Sequence, residues 1–170
     1  MSAPPVTSSL STRLATPSDA AAIAEIYNDG IDDRVATFET RHRTPADIAA
    51  WFDGIHPVVV VEWDGRIVGF ASTSIYRPRD CYAGIAEYSV YVGRSARGRG
   101  VGRAAMLALF DAAREAGYWK LISRIFPENA SSLRLMRSLG FREVGTYIRH
   151  GKLDGEWRDV VIVEKLLDEG

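Results

Sequence analysis

Three arginines and three glycines fall within Arg97-Gly98-Arg99-Gly100-Val101-Gly102-Arg103, and an alanine-rich apolar run follows directly. Glycines let a backbone close in on an anion. The first turn of a helix carries free N–H groups, and its dipole favours negative charge. The arginines add charge-assisted bonds. This stretch therefore suits a phosphate-bearing ligand, although a basic helix start with no ligand has the same composition. It is not a nucleoside-triphosphate loop, because Gly102 is followed by Arg103-Ala104 and not by Lys-Ser or Lys-Thr. A dinucleotide-binding turn belongs early in a strand-helix-strand unit, and this one comes late. A second group with chemical capacity is Glu87, inside the strand-like run Ile85 to Val92. Alternation puts Glu87, Ser89 and Tyr91 on one face and Tyr88, Val90 and Val92 on the other. A carboxylate in such a run is costly unless it is used, as a general base, or paired with an arginine. A third is the pair Arg77 and Arg79 around Pro78, which suits a tetrahedral anion or a carboxylate, or is simply solvated. Phe38 and Tyr82 are candidates to wall a substrate's methylene chain, or to be core.

The elements that must hold these groups are legible from caps and periodicity. Arg13-Leu14-Ala15 reads as a short first strand. Thr16-Pro17-Ser18-Asp19 and Thr44-Pro45-Ala46-Asp47 each start a helix, with a capping Thr, Pro at the first helical position and Asp at the dipole. Ile23, Ile26, Tyr27 and Ile31 form the apolar face of the first helix, and Ile48, Trp51 and Phe52 that of the second. Val58 to Val61 is a strand, Asp64-Gly65 a hairpin turn, and Ile67 to Ser72 the returning strand. Ile85 to Val92 follows, then a helix to about Ala116 with Val101, Ala105, Ala108, Leu109 and Ala112 as its inner face. Leu121 to Phe126 is a strand. Asn129 caps a helix with Leu133, Met136 and Leu139 inward and Gly140 at its end. Phe141 to Ile148 and Trp157 to Leu166 are the last strands. The order β-α-α-β-β-β-α-β-α-β-β implies an α+β fold with a mixed sheet.

Composition narrows the function classes. With 170 residues, 46% hydrophobic and 25% charged, and a net charge of -1, the chain suits one globular domain over 12–168 behind a disordered tail, 1–11. Near-neutrality argues against a nucleic-acid coat or a membrane-surface protein, and no apolar run is long enough to span a bilayer. The lone cysteine, Cys81, allows no internal disulfide and fits a reducing, cytoplasmic setting. His42, His56 and His150 are scattered and no CxxC or HExxH occurs, so no metal site is expected.

Arg97-Gly98-Arg99-Gly100-Val101-Gly102 resembles the Q/R-x-x-G-x-G/A signature of the GNAT N-acetyltransferases. Glu87-Tyr88-Ser89-Val90-Tyr91-Val92 is similar to the strand before it, and Pro127-Glu128-Asn129 with the exit Leu139-Gly140-Phe141 to that family's second cofactor helix. The similarity runs from about Arg13 to Leu167. It implies a mostly antiparallel mixed sheet of about seven strands with splayed central strands and about four helices. It also implies acetyl-CoA as co-substrate, with Arg97, Gly98, Arg99, Gly100, Val101, Gly102 and Arg103 at the pyrophosphate. The main chain of Val90, Tyr91 and Val92 would lie along the thioester. Asn129 and Ser132 also join the cofactor site, although Asn129 is equally a plain N-cap. Glu87 matches the catalytic Glu, acting directly or through a water.

Arg77-Pro78-Arg79-Asp80-Cys81-Tyr82, AEYSVYV and Gly155-Glu156-Trp157-Arg158-Asp159-Val160 resemble the phosphinothricin acetyltransferase branch. IYNDGIDDRVATFET and YWKLISRIFPENA are closer still to its arsinothricin-resistance members. That branch implies acetylation of the α-amino group of a phosphinate- or arsinate-bearing amino acid, conferring resistance, with Arg77 and Arg79 in the substrate loop, and a homodimer. Methionine sulfoximine or sulfone, another small amine, or a protein N-terminus are alternative acceptors; an acyl-CoA-sensing domain is the non-enzymatic alternative. Two positions depart from the wider pattern. Met136 stands where many relatives place a tyrosine acid, and Asp154 where some phosphinothricin enzymes have a proposed catalytic His.

Overall fold

Four consecutive valines divide between two cores. Val58 and Val60 pack with Ile23, Ile26 and Phe70, whereas Val59 and Val61 pack with Val101, Ala105 and Leu109. A strand buried on both sides needs a helical layer on each face. The computed structural model, which describes residues 9–167, has that architecture. Among the described residues, seven strands form one sheet flanked by four α-helices: β1 (Leu10–Leu14), α1 (Ala20–Asp32), α2 (Pro45–Ala49), β2 (Val58–Trp63), β3 (Arg66–Ile75), β4 (Ile85–Val92), α3 (Val101–Glu115), β5 (Lys120–Ile125), α4 (Ala130–Ser138), β6 (Arg142–Leu153) and β7 (Glu156–Leu166). The sheet order is β1-β2-β3-β4-β5-β7-β6. Every neighbouring pair is antiparallel except β4 with β5. The fold is α+β, with α1 and α2 on one face and α3 and α4 on the other.

Both helix starts carry capping boxes. The Asp19 carboxylate accepts from the Thr16 N–H at 2.8 Å, and a 3-10 turn, Pro17–Asp19, leads into α1. At α2 the Thr44 hydroxyl accepts from Asp47 N–H at 3.2 Å while the Asp47 carboxylate accepts from Thr44 N–H at 2.8 Å. The β2–β3 hairpin turns on Asp64 and Gly65, both at positive φ (51° and 76°), the combination that matches strand twist in a two-residue loop.

Some boundaries differ from expectation. The first strand begins at Leu10, so Leu10 and Ser11 belong to the sheet and not to a tail. Residues 1–8 and 168 of the expected tail and domain lie outside the described residues. The inner face of α3 is Val101, Ala105, Met106, Leu109, Phe110 and Ala113; Ala108 and Ala112 are only half-buried. β6 runs to Leu153, well past Ile148, and turns into β7 at Asp154-Gly155.

Candidate active site

The parallel pair β4 and β5 is held together over only a short stretch. Their register runs Ile85↔Lys120, Ala86↔Leu121 and Glu87↔Ile122. Beyond it the Ser123 hydroxyl donates to the Tyr88 carbonyl at 2.9 Å, and the two strands then part. β4 stays paired to β3 as far as Val92, and β5 to β7 as far as Ile125, so each strand is supported on its outer side only. The resulting cleft is lined by Ser89, Val90 and Tyr91 on one wall and Arg124 and Ile125 on the other, with Asn129 and Ser132 from the mouth of α4. Main-chain groups along this gap are free to bond a ligand, which paired strand groups are not.

At one end of β4 lies the glycine turn. Gly98 and Gly100 both have positive φ (75° and 80°), and Gly100, left-handed, is the N-cap of α3. A Cβ at either glycine would meet nothing within 4 Å, so the backbone faces open space. The N–H groups of the first α3 turn emerge here. Each arginine of the turn has a protein partner. Arg97 donates to Asp33 at 2.7 Å and to the Val92 carbonyl at 3.2 Å. Arg99 stacks on Trp63 at 4.7 Å, and Arg103 donates to the Ser138 hydroxyl at 3.1 Å. Asp33 also accepts from Arg94 at 2.9 Å. Burial alone would raise the Asp33 carboxyl, but the bonds from Arg94 and Arg97 outweigh it and hold the carboxyl below the usual range.

On the α1 side of the sheet the cleft opens into a cavity of about 320 Å³. Its walls are Tyr27, Tyr91, Phe38, Phe126 and Val160, and its polar groups are Thr37, Glu39, Ser74, Glu87, Ser89, Ser123 and Arg124. Tyr27 meets Tyr91 edge-on at 5.0 Å, and Phe38 meets Phe126 edge-on at 4.8 Å. Burial pushes the Tyr91 and Tyr27 hydroxyls up. Gly30 of α1 allows Tyr91 its place, since a Cβ there would stand 2.5 Å from the ring.

Glu87 projects into this cavity, but not as an isolated carboxylate among apolar side chains. It accepts from Arg124 at 2.8 Å; its side chain is 25% exposed and that of Arg124 53%. The alternative of an arginine-paired Glu87 is thus met in the same residue that faces the cavity. Arg124 was missed by sequence reasoning. The signal was present, because alternation in Lys120–Ile125 puts a guanidinium on the same face as Ile122, beside Glu87. Tyr88 points the other way and its buried hydroxyl has no hydrogen-bond partner among the described residues. Met136 is buried in the core beneath α4. The Asn129 side chain caps α4 by accepting from Ser132 N–H at 3.4 Å.

Phe38 lies in the cavity, but Arg77, Arg79 and Tyr82 do not line it. Arg79 stacks on Tyr82 at 5.8 Å, Arg77 on Tyr76 at 5.1 Å, and the two tyrosines meet edge-on at 5.7 Å. Tyr76 and Tyr82, but neither arginine, line a second groove whose floor includes Ile85 and Ile122, one pleat along from Glu87 and Arg124. Among the described residues, no three His, Cys, Asp or Glu side chains gather as ligands for an ion, and no helix is long and apolar enough to cross a membrane.

The geometry is matched in known proteins. Residues 23–141 fit the model of the Acetyltransferase (GNAT) family. An L-methionine sulfoximine/L-methionine sulfone acetyltransferase of Salmonella typhimurium is 34% identical, over 94% of this chain and 96% of its own. A phosphinothricin N-acetyltransferase of Streptomyces coelicolor is 32% identical, over 96% of this chain and 99% of its own. A solved Salmonella typhimurium structure that carries acetyl-CoA matches with a TM-score of 0.89 and 33% identity, over 95% of both chains. On that agreement, which takes in β4, the glycine turn and α4, the chain belongs to the GNAT family of acetyltransferases.

Proposed function

We propose that this protein transfers the acetyl group of acetyl-CoA to the α-amino group of a small amino-acid analogue whose far end is a phosphinate, an arsinate or a sulfoximine or sulfone. The observation that carries it is the continuity between the β4–β5 cleft and the Glu87 cavity, which lets an extended thioester meet an amine beside a carboxylate. In this reading the turn Arg97 to Arg103 receives the diphosphate, with Asn129 and Ser132 beside the pantetheine arm. The free main chain of Val90, Tyr91 and Val92 orients the thioester and polarises its carbonyl. Glu87 takes the amine proton, directly or through a water. The relatives support two acceptor types equally, since one is named for methionine sulfoximine and sulfone and another for phosphinothricin. The resemblance of Tyr118 to Ala130 to arsinothricin-resistance enzymes supports the arsinate. Arg77 and Arg79, stacked on Tyr76 and Tyr82 of the neighbouring groove, are the cations for the far end. Acetylation would cancel the charge of the amine and so disarm a toxic amino-acid mimic.

The exposed apolar side chains Ile75, Val144, Tyr147, Ile148 and Trp157 favour a homodimer that covers β6 and this groove. The exposed lone thiol of Cys81 suits a cytoplasmic setting. Thiol release from acetyl-CoA, measured against phosphinothricin, arsinothricin, methionine sulfoximine and common amino acids, tests the acceptor. Turnover confined to the first three supports the assignment. Turnover of none, or strong preference for a peptide N-terminus, overturns it.

A further inference from the structure

Arg124 has no role in the chemistry described so far, and its setting asks for one. It sits on a strand in the middle of the sheet, its side chain is 53% exposed, and it lines both the cleft and the cavity. Glu87 is its one carboxylate within ion-pair distance among the described residues, and a single nitrogen, Nη2, makes that bond. A guanidinium has five N–H donors in a rigid fork. Among the described residues the rest of this fork has no protein acceptor, and Arg124 lines the cavity.

We infer that Arg124 binds the α-carboxylate of the acceptor, so that the Glu87–Arg124 pair together recognises a zwitterion. This rests on the proposed amino-acid acceptor and names the residue that distinguishes it from a plain amine. In any α-amino acid the nitrogen and the carboxylate hang from one carbon, so N and O remain within hydrogen-bond distance of each other. Glu87 and Arg124 present opposite charges at the matching separation, 2.8 Å. With the amine on Glu87, the carboxylate falls on Arg124, and four charges alternate around the contact. The orientation this imposes is useful. Both protein groups stand on adjacent strands at the point where the sheet parts, so an amine fixed between them faces the inner side of β4 and the side chain extends toward Ile85, Tyr76 and Tyr82. An amine without a carboxylate would leave the fork unfilled and Glu87 held by Arg124 alone.

The test compares wild type, Arg124→Gln and Arg124→Lys on methionine sulfone, its α-carboxamide and the corresponding amine lacking the carboxyl group. Thermal melting by calorimetry serves as the check of folding. Wild type should prefer the acid over the carboxamide by at least about tenfold in kcat/KM, the scale of a hydrogen-bonded charge. Arg124→Gln should raise KM for the acid about 10- to 100-fold and erase the preference, with Tm close to that of wild type. Arg124→Lys should restore part of it, because a point charge survives while the fork is lost. A preference that survives in Arg124→Gln, or an equal loss of kcat on all three compounds, overturns the assignment while leaving the amino-acid acceptor standing. A wild type that favours the carboxamide or the bare amine, or acetylates none of the three, overturns both.

Discussion

Replacing Glu87 by glutamine separates chemistry from packing in one protein. Gln keeps the volume and an oxygen that accepts from Arg124, but it has neither charge nor basicity. The structural cost is small. The pair is short, at 2.8 Å, yet the Arg124 side chain is 53% exposed, so solvent screens the attraction. A pair of this kind contributes about 0–1 kcal/mol, and each kcal/mol moves Tm by about 2–4 °C in a domain of this size. The kinetic cost is larger. A positioned general base contributes about 10²- to 10⁴-fold, which is about 3–5 kcal/mol of barrier. Glu87→Gln should therefore lose at least about 100-fold in kcat, with Tm within about 4 °C of wild type and acetyl-CoA binding intact. Thiol release measured with a coloured disulfide reagent gives the rate, and calorimetry gives both Tm and cofactor affinity. A variant that keeps more than about a tenth of the wild-type kcat refutes the role of base. If its Tm has also fallen, Glu87 serves the sheet as an ion pair and the proton leaves by another route.

Gly30→Ala sets a helix-propensity gain of about 1 kcal/mol against overpacking of about 1–3 kcal/mol, since the new Cβ would lie 2.5 Å from Tyr91 Cδ1 and Cε1. The expected result is a neutral to lower Tm and a raised acceptor KM as the cavity wall shifts; a higher Tm with unchanged KM would contradict it. Tyr88→Phe removes a buried hydroxyl that has no partner among the described residues, so stability of the ligand-free protein should be unchanged or up by as much as about 1 kcal/mol. A clear loss of stability would mean that the hydroxyl is bonded in solution. Asp19 is buried, and the bidentate bond from Arg13 (2.7 and 2.9 Å) holds its carboxyl below the usual range. Its contribution to stability is present above the ordinary carboxylate pKa of about 3.9 and is lost as pH falls through the depressed folded value. Asp19→Ala should cost about 1–3 kcal/mol at pH 7, and the gap to wild type in urea melts should close in acid. A gap that stays constant at pH 3 and below would refute the linkage.

What could be read in the sequence was whatever depends on neighbours in the chain. The helix starts at Thr16 and Thr44 and the Asp64-Gly65 hairpin are local chemistry, and β4 was placed residue for residue. The inner face of α3 was read one step round because its alanines look apolar wherever they fall; only packing decides that Met106, Phe110 and Ala113 turn inward. β6 ran long because polar residues on a strand at the end of the sheet carry no burial pattern to count. The site followed the same divide. The glycine turn and Glu87 are contiguous signals, whereas the Glu87–Arg124 pair joins residues 37 apart across a parallel pair of strands. The arginines of the turn could be counted, but not their attachments to Asp33, Trp63 and Ser138, which arise where distant elements meet.

A sheet that divides between two central strands has four borders where an ordinary open sheet has two. Exposed borders are templates for other chains, and proteins usually blunt them with charge, proline or a covering helix. Here the inner borders are protected by narrowness. β5 is fastened to β7 on its far side, and the Ser123 hydroxyl pins it to β4 at the near end, so a foreign strand with its side chains finds no entry. The fold thereby keeps uncommitted peptide groups in the middle of the molecule, ready for recognition, without offering them for aggregation.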